Sequence, residues 1–459
     1  MDPLRRIEAL ADRGSVQLLD GVESSAGVGA IAALTAVEGR IVVAFAQDGE
    51  VGGGALGQRQ AAVLCRALEL AGQSGVPVVG FIESAGARLQ EGVRSLDAYA
   101  RVFRTMIGLS SLVPQISVTT GDSAGGGCYC SALTDFTIMA RGAGMFLTGP
   151  RVVQEVTGET VTAQDLGGPS VHRRTGVCQI VAESSREAAA RARELLGYLP
   201  PRRGAPAPRR RPLPPVNADP SDSLPADDSQ VYDVRDVIAA LVDAGQNLEI
   251  GPHWARNMVT ALARLEGRAI GIVANQPAHR GGVIDVAATE KASRFIRTCD
   301  SFGLPLVVLV DTPGFMPGTR QESAGIIRHG SNLLRAFGAA TVPRVTVVLR
   351  RAFGGGYITM NSKDLGADFC FAWPGATIGI MAAHQAVAIV QRGEIASASD
   401  PGGRHVQLAN AYAEGQSAQA AARAGALDAV IEANETRSRL CEALEATERP
   451  IEGPLTVAR

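Results

Sequence analysis

The sequence predicts an α/β fold in which two related domains follow one another along the chain. Three observations predict it. Strand and helix patterns alternate in the order of parallel crossover units. Glycine-bearing elements return 228 or 229 residues later, and a proline- and arginine-rich stretch separates the two copies. A chain of 459 residues suits two cores of roughly 200 residues better than a single one.

In the first copy IVVAFAQD (41–48) reads as a strand, RQAAVLCRALELAGQSG (59–75) as a helix and VPVVGFIES (76–84) as a strand. The second copy repeats the order with AIGIVANQ (269–276), EKASRFIRTCDSFG (290–303) and LPLVVLVDT (304–312). Such βαβ units build mostly parallel sheets covered by helices. Glu38-Gly39-Arg40 returns as Glu266-Gly267-Arg268, Gly75-Val76-Pro77 as Gly303-Leu304-Pro305, and Gly86 as Gly314, all at an offset of 228. Ala124-Gly125-Gly126-Gly127 returns as Phe353-Gly354-Gly355-Gly356 at 229, a register too long for chance. Between the copies, residues 200–228 are too rich in proline and too poor in apolar periodicity to form a core. They read as a solvated linker joining a domain at 1–199 to one at 229–459. The linker arginines, Arg202, Arg203, Arg209, Arg210 and Arg211, leave open a docking patch for acidic groups.

The glycine clusters follow strands: ESAGAR (83–88), DSAGGG (122–127), DTPGFMPG (311–318) and FGGGY (353–357). A strand–Gly-Gly–helix junction presents main-chain N–H groups at the positive end of a helix, where a ligand oxygen can approach closely. Donors placed in that way stabilise an enolate oxyanion. Gly125, Gly126, Gly355 and Gly356 are therefore the candidate catalytic positions, and two junctions imply two carbonyl partners. The competing reading is that these glycines only permit close packing of helix on strand.

Other chemistries have weak signatures. A formal net charge of −2 selects no polyanion, so nucleic acid is not an expected partner. The seven cysteines are scattered without CxxC pairs, as in a reduced cytoplasmic protein, and neither they nor the six histidines form a metal-ligand cluster. No metal is expected. Gly27–Ala32 fits GxGxxA without a clear helix after it, no P-loop is present, and neither Ser84 nor Ser123 fits the GxSxG elbow. The chain has no apolar leader and no run of about 18 apolar residues, so no membrane partner is expected.

Long stretches resemble one family. SAGARLQEGV (84–93), DSAGGGCYCSALTDF (122–136), FLTGP (146–150), LGGPSVHRRTGVC (166–178), ANQP (274–277), EKASRFIRTCDSFGLPLVVLVDTPGFMPG (290–318), QESAGIIRHGSNLL (321–334) and RRAFGGGYITMNSK (350–363) are similar to the acyl-CoA carboxylase β subunits, which are carboxyltransferases. The resemblance covers nearly the whole chain. It implies two tandem crotonase-type domains and a homo-hexamer, a trimer of dimers. The active site would combine the N-terminal domain of one subunit with the C-terminal domain of another. It implies that Gly125 and Gly126 hold the thioester oxygen of the acyl-CoA, and that Gly355 and Gly356 hold the ureido oxygen of biotin. Ser84, Gly86, Ala87 and Arg88 are expected along coenzyme A, and Tyr357 beside the cofactor. Carboxybiotin would release CO₂, the biotin anion would take the α-proton, and the enolate would attack CO₂, with no side-chain base. Biotin and its carboxylase would come from a partner α subunit. Gly356 stands where family members often have Ala. Ile358 stands where many propionyl-type enzymes have Asp, so acetyl-CoA is the expected substrate, with propionyl-CoA next. Cys128 departs from the small residues expected in the acyl pocket. A decarboxylase using the same enolate, and a non-catalytic scaffold, remain the alternatives.

Overall fold

The computed structural model describes residues 1–19, 28–217, 219–227 and 230–448, and falls into two compact units, residues 1–208 and 209–450. Gly27, the first residue of the GxGxxA stretch, and Asp228, the end of the linker reading, lie outside the described residues, as does Ser229, the first residue of the second domain as read.

In the first unit the strands are β1 (Gln17–Leu18), β2 (Ala30–Val37), β3 (Arg40–Gln47), β4 (Val78–Ser84), β5 (Gln115–Ala124), β6 (Phe136–Ala140), β7 (Gly144–Phe146) and β8 (Ile180–Ala182). They form one sheet in the order β1-β2-β3-β4-β5-β6-β8, with β7 paired to β5. The sheet is parallel from β3 onward, but β1, β2 and β3 pair antiparallel. Glu38 and Gly39 cause this departure from an all-crossover sheet. With φ of 49° and 74° they close a two-residue hairpin turn whose twist matches that of the strands. The Asp12 carboxylate, just past helix α1 (Pro3–Leu10), accepts from the Glu38 and Gly39 amides at 3.0 and 2.8 Å. Arg193 pairs with Asp12 at 2.8 Å.

Helix α2 (Gln58–Ser74) carries β3 over to β4. It buries Ala61, Leu64, Leu68 and Ala71 at helical spacing against the sheet and stops at Gly75, which is left-handed at φ 63°. Helix α3 (Val93–Leu109) joins β4 to β5, and α4 (Gly126–Ala132) follows β5 directly.

The second unit repeats this plan. Its strands β9 (Asn247–Glu249), β10 (Met258–Leu265), β11 (Arg268–Asn275), β12 (Leu306–Thr312), β13 (Arg344–Phe353), β14 (Phe369–Ala372), β15 (Thr377–Gly379) and β16 (Ala429–Val430) run in the same order with the same pairing senses. Helices α5 (Val286–Ser301), α6 (Ile326–Ala339) and α7 (Gly354–Thr359) stand where α2, α3 and α4 stand in the first. Asp243 accepts from Glu266 and Gly267 at 3.0 and 2.8 Å and pairs with Arg437 at 2.7 Å, reproducing the Asp12 arrangement. The duplication therefore extends to individual hydrogen bonds.

One buried ion pair is conserved in place but not in origin. Asp311, fully buried, receives the Nε atoms of Arg350 and Arg351 at 3.0 Å each. Its counterpart at an offset of 228 is Glu83, paired at 3.0 Å with Arg6 from α1. Gly121 holds the position of Arg350, and any Cβ there would collide with Glu83. The cation comes from a neighbouring helix, since the strand has no room for a side chain at Gly121.

The Pro/Arg-rich segment is exposed or half-exposed along nearly all of its described length, and parts of its backbone bond to the unit beside them. The Arg203 amide donates to Leu112 O at 2.8 Å within the first unit. In the second, the Arg210 amide donates to Gly267 O at 3.0 Å, and Pro214 O accepts from the Ala244 amide at 3.1 Å. Extended backbone of this kind has N–H and C=O groups that secondary structure does not use, and these find partners on the domain surface.

Candidate functional site

Adjacent parallel strands end side by side, so their loops meet. In the first unit β4 and β5 are neighbours, with a break in register between Ile82 and Ser84 that brings the Ser84–Arg88 loop against the start of α4. A Cβ built on Gly125 would lie 3.8 Å from Gly86 Cα. In the second unit β12 and β13 do the same, and a Cβ on Gly356 would lie 2.8 Å from Gly314 Cα. Ser84 Oγ accepts from the Gly86 amide at 3.2 Å, and Thr312 Oγ1 from the Gly314 amide at 3.1 Å.

Each junction turns on one left-handed glycine, Gly125 at φ 55° and Gly354 at φ 56°. The equivalent positions are thus Gly125 with Gly354, Gly126 with Gly355 and Gly127 with Gly356. The pairs read from sequence, Gly125-Gly126 and Gly355-Gly356, sit one residue out of step. Gly125 also cannot donate as expected: its amide is bonded to Phe146 O of β7 at 3.0 Å. The Gly126 amide opens instead, at the first position of α4 where no earlier carbonyl of the helix can reach it. Gly355, exposed in the first turn of α7, is the matching donor. Gly356 is buried against Gly314 and Thr312, which explains its lack of a side chain by packing alone.

The remaining candidates divide into supports and surface. Ser84 is fully buried with its hydroxyl engaged by Tyr99 at 2.9 Å, so it braces the loop from behind and does not line its exposed face, a correction to the expectation that it lies along a ligand. Gly86 is buried, while Ala87 and Arg88 are half-buried, and Arg88 faces Glu91 at 3.8 Å. Cys128 is buried on α4 with Sγ 2.9 Å from Gly125 O. Tyr357 is half-buried, its hydroxyl 3.4 Å from Ala426 O. Ile358 is 51% exposed and occupies the position of Tyr129, 49% exposed in the first unit.

Their environment keeps Cys128 and Tyr357 neutral. Burial raises the Cys128 thiol and pushes the Tyr357 hydroxyl up to about 12, and it raises Tyr99 as well. All seven cysteines are free, each thiol raised by burial. Among the described residues no group of three or more His, Cys, Asp or Glu is placed to hold a metal ion, and no helix is long and apolar enough to cross a membrane. The junctions thus offer uncharged N–H donors for a carbonyl-type oxygen. That donor set fits a thioester and fits the ureido group of a biotin equally well.

Sequence reasoning missed a third loop in each unit. Gly53 O accepts the Ala85 amide at 2.8 Å, and Gly54 abuts Glu83 O so closely that no Cβ fits. Gly281 and Gly282 repeat both positions at 228, and that spacing was the signal available. The aromatic rings beneath the junctions, Tyr99 against Gly126 and Phe315 against Gly355, were also missed. They come from different elements, so no offset reveals them.

A model of the family described as the carboxyl transferase domain matches residues 5–454. The methylmalonyl-CoA carboxyltransferase 12S subunit of Propionibacterium freudenreichii subsp. shermanii is 45% identical over 417 residues, covering 90% of this chain and 80% of that one. The biotin-dependent acetyl-/propionyl-coenzyme A carboxylase beta5 subunit of Mycobacterium tuberculosis (strain ATCC 25618 / H37Rv) is 42% identical over 467 residues, covering 98% and 85%. The methylmalonyl-CoA decarboxylase subunit alpha of Propionigenium modestum is 43% identical over 422 residues, covering 90% and 81%. A solved structure of transcarboxylase 12S, a hexamer with methylmalonyl-coenzyme A and methylmalonic acid bound, matches with a TM-score of 0.94 at 41% identity, over 100% of this chain and 91% of that one.

Proposed function

The chain belongs to the carboxyl transferase domain family, and from that premise we propose that it moves a carboxyl group between biotin on a partner protein and the α-carbon of a short acyl-CoA. It is a biotin-dependent acyl-CoA carboxyltransferase of the acyl-CoA carboxylase and transcarboxylase β-subunit type. The observation that carries the proposal is the matched pair of strand–glycine–helix junctions, each with a first-turn amide and no Cβ over it.

In this reading each unit is a crotonase-type domain, residues 1–199 serving the acyl-CoA and residues 229–459 serving biotin. The Gly126 amide holds the thioester oxygen and stabilises the enolate as negative charge develops there. The Gly86–Arg88 loop runs along coenzyme A. The Gly355 amide holds the ureido oxygen, with Tyr357 beside it. Carboxybiotin, when bound, supplies CO₂ and then a base for the α-proton. The protein's part is to align the two oxygens and exclude water, and Cys128 and Tyr357, both kept protonated by burial, do not serve as the base.

Ile358 beside the second junction favours acetyl-CoA, giving malonyl-CoA, over propionyl-CoA, giving methylmalonyl-CoA. One pocket residue separates substrates differing by a methylene only about 10- to 200-fold. The active form is a hexamer, a trimer of dimers, that works in the cytoplasm with a biotin carboxylase and carrier α subunit. Exposed apolar side chains after β7 and β15 support assembly: Leu147, Val152 and Val156 in the first unit, Ile380, Ile389 and Val390 in the second. The similarity to a decarboxylase subunit favours a second reading, in which the same site runs toward loss of the carboxyl group.

The test uses the purified full chain with free biotin and malonyl-CoA or methylmalonyl-CoA. Biotin-dependent formation of acetyl-CoA or propionyl-CoA is expected. No biotin-dependent turnover of either would overturn the proposal. Labelled bicarbonate with ATP and an α subunit then measures the forward direction.

A further inference from the structure

Tyr99, on α3, touches both walls of the first junction. Its ring lies directly under Gly126, where a built Cβ would fall 2.6 to 2.7 Å from three ring carbons, so the first turn of α4 rests on the ring without slack. Its hydroxyl is 2.9 Å from Ser84 Oγ, and that same Oγ accepts the Gly86 amide at 3.2 Å. The residue is 4% exposed, and its ring sits 5.5 Å from that of Phe103, which in turn meets Tyr129 edge-on at 6.2 Å. The ring is therefore clamped from behind and cannot swing to release either wall.

The second unit provides an internal comparison. The inward positions of α3, Ser95, Ala98, Tyr99, Val102, Met106 and Leu109, match Ile326, His329, Gly330, Leu333, Phe337 and Ala340 at an offset of 231. Tyr99 thus corresponds to Gly330. The ring under Gly355 comes instead from Phe315 in the loop itself, 3.4 Å from a Cβ built on Gly355 and 3.3 Å from one built on Gly330. Phe315 has no hydroxyl, and among the described residues the Thr312 hydroxyl bonds only within its own loop. Among the described residues, only the first unit ties its loop to the ring beneath the junction through a polar contact.

We infer that Tyr99 is a positioning residue that fixes the distance between the Ser84–Arg88 loop and the Gly126 amide, and so places the acyl-CoA thioester oxygen on its donor. This rests on the function proposed above. Coenzyme A held by the loop fixes where the thioester lies, and Gly126 fixes where the donor lies. Their alignment to a fraction of an ångström determines how much charge the amide stabilises. Burial keeps the hydroxyl protonated, so the contact persists across the working pH range.

The test is a double-mutant cycle of Tyr99→Phe and Ser84→Ala in the full chain, assayed with free biotin and malonyl-CoA or methylmalonyl-CoA, whichever turns over faster. Each single variant is expected to lower kcat by about tenfold with KM for the CoA ester within about twofold, because the loop still binds but presents the oxygen off its donor. The double variant is expected to lose no more than either single, since both remove one coupling. Wild-type kcat in Tyr99→Phe, losses that multiply in the double, or a change confined to KM would each overturn the inference. If Tyr99→Phe fails to fold, Ser84→Ala alone decides by the same split of kcat from KM. Gly355→Val runs in parallel: if it loses activity while Tyr99→Phe does not, only this inference fails, and if neither loses activity the functional reading itself fails.

Discussion

Gly355 allows a functional glycine to be separated from a structural one. A Cβ at this position would sit 3.4 Å from the Phe315 ring, ordinary van der Waals contact, and its φ is not left-handed. Gly355→Ala should therefore fold, and replacing glycine in a helical turn should add about 0.5–1 kcal/mol of stability. That corresponds to a rise in Tm of roughly 1–4 °C. Gly355→Val adds two γ-carbons. Phe315 already fills the space on the inner side, so one of them must project over the exposed N–H. If that N–H carries a ligand oxygen, shielding it should lower kcat by about 10²-fold, the usual effect of losing one oxyanion-type donor. The assay is biotin-dependent turnover of the CoA ester, with Tm recorded for each variant. KM for the CoA ester should stay within about twofold, because that substrate is assigned to the other junction. Wild-type turnover in a folded Gly355→Val protein would refute the reasoning, and so would a loss explained wholly by unfolding.

Gly126→Ala should behave differently, because its Cβ would lie 2.6 Å from the Tyr99 ring, and overpacking there should cost about 1–3 kcal/mol together with the loss of turnover, read by urea midpoint and rate on the same preparation. Asp12 is held below the usual carboxylate range, first by the Gly39 amide and then by Arg193, so its stabilising contribution is present above the unfolded value and fades as pH falls through the folded one. Asp12→Asn should lower Tm by roughly 2–5 °C at pH 7, and the difference should vanish in acid. Lys291 is pushed down to about 8 by burial, its amine on Trp254 O and Met258 O at 2.9 and 2.7 Å. The unfolded chain then binds more protons between about pH 8 and the ordinary lysine value near 10.4, so stability should rise with pH in that window, and Lys291→Met should lose the rise in urea titrations at two pH values. Ile358→Asp should shift the kcat/KM ratio toward propionyl-CoA by about tenfold in a substrate panel, and an unchanged ratio would remove Ile358 from the specificity assignment.

Much of the fold was legible because the sheet and its helices follow simple periods. IVVAFAQD, VPVVGFIES, AIGIVANQ and LPLVVLVDT became β3, β4, β11 and β12, and the two helical patterns between them became α2 and α5. The constant offset made the duplication visible before any contact was known. The site was less legible, because its decisive partners come from elements without periodicity. β7 is a three-residue strand, GMF, and nothing in those residues announces that Phe146 O takes the Gly125 amide. Tyr99 and Phe315 reach equivalent places from a helix and from a loop, so matching one copy to the other misses both. Arg6 substitutes for Arg350 across a large sequence distance for a similar reason: packing fills a required volume and charge from whichever element is nearest. The hairpin at Glu38-Gly39 was seen as a repeat but not as a turn, which is why the antiparallel edge was not anticipated.

The most direct measurement is a crystal structure of the chain with an acyl-CoA and biotin bound together. The thioester oxygen should lie within hydrogen-bonding distance of the Gly126 amide and the ureido oxygen within that of the Gly355 amide. Either oxygen bound elsewhere, with its glycine amide facing protein or solvent, would contradict the account.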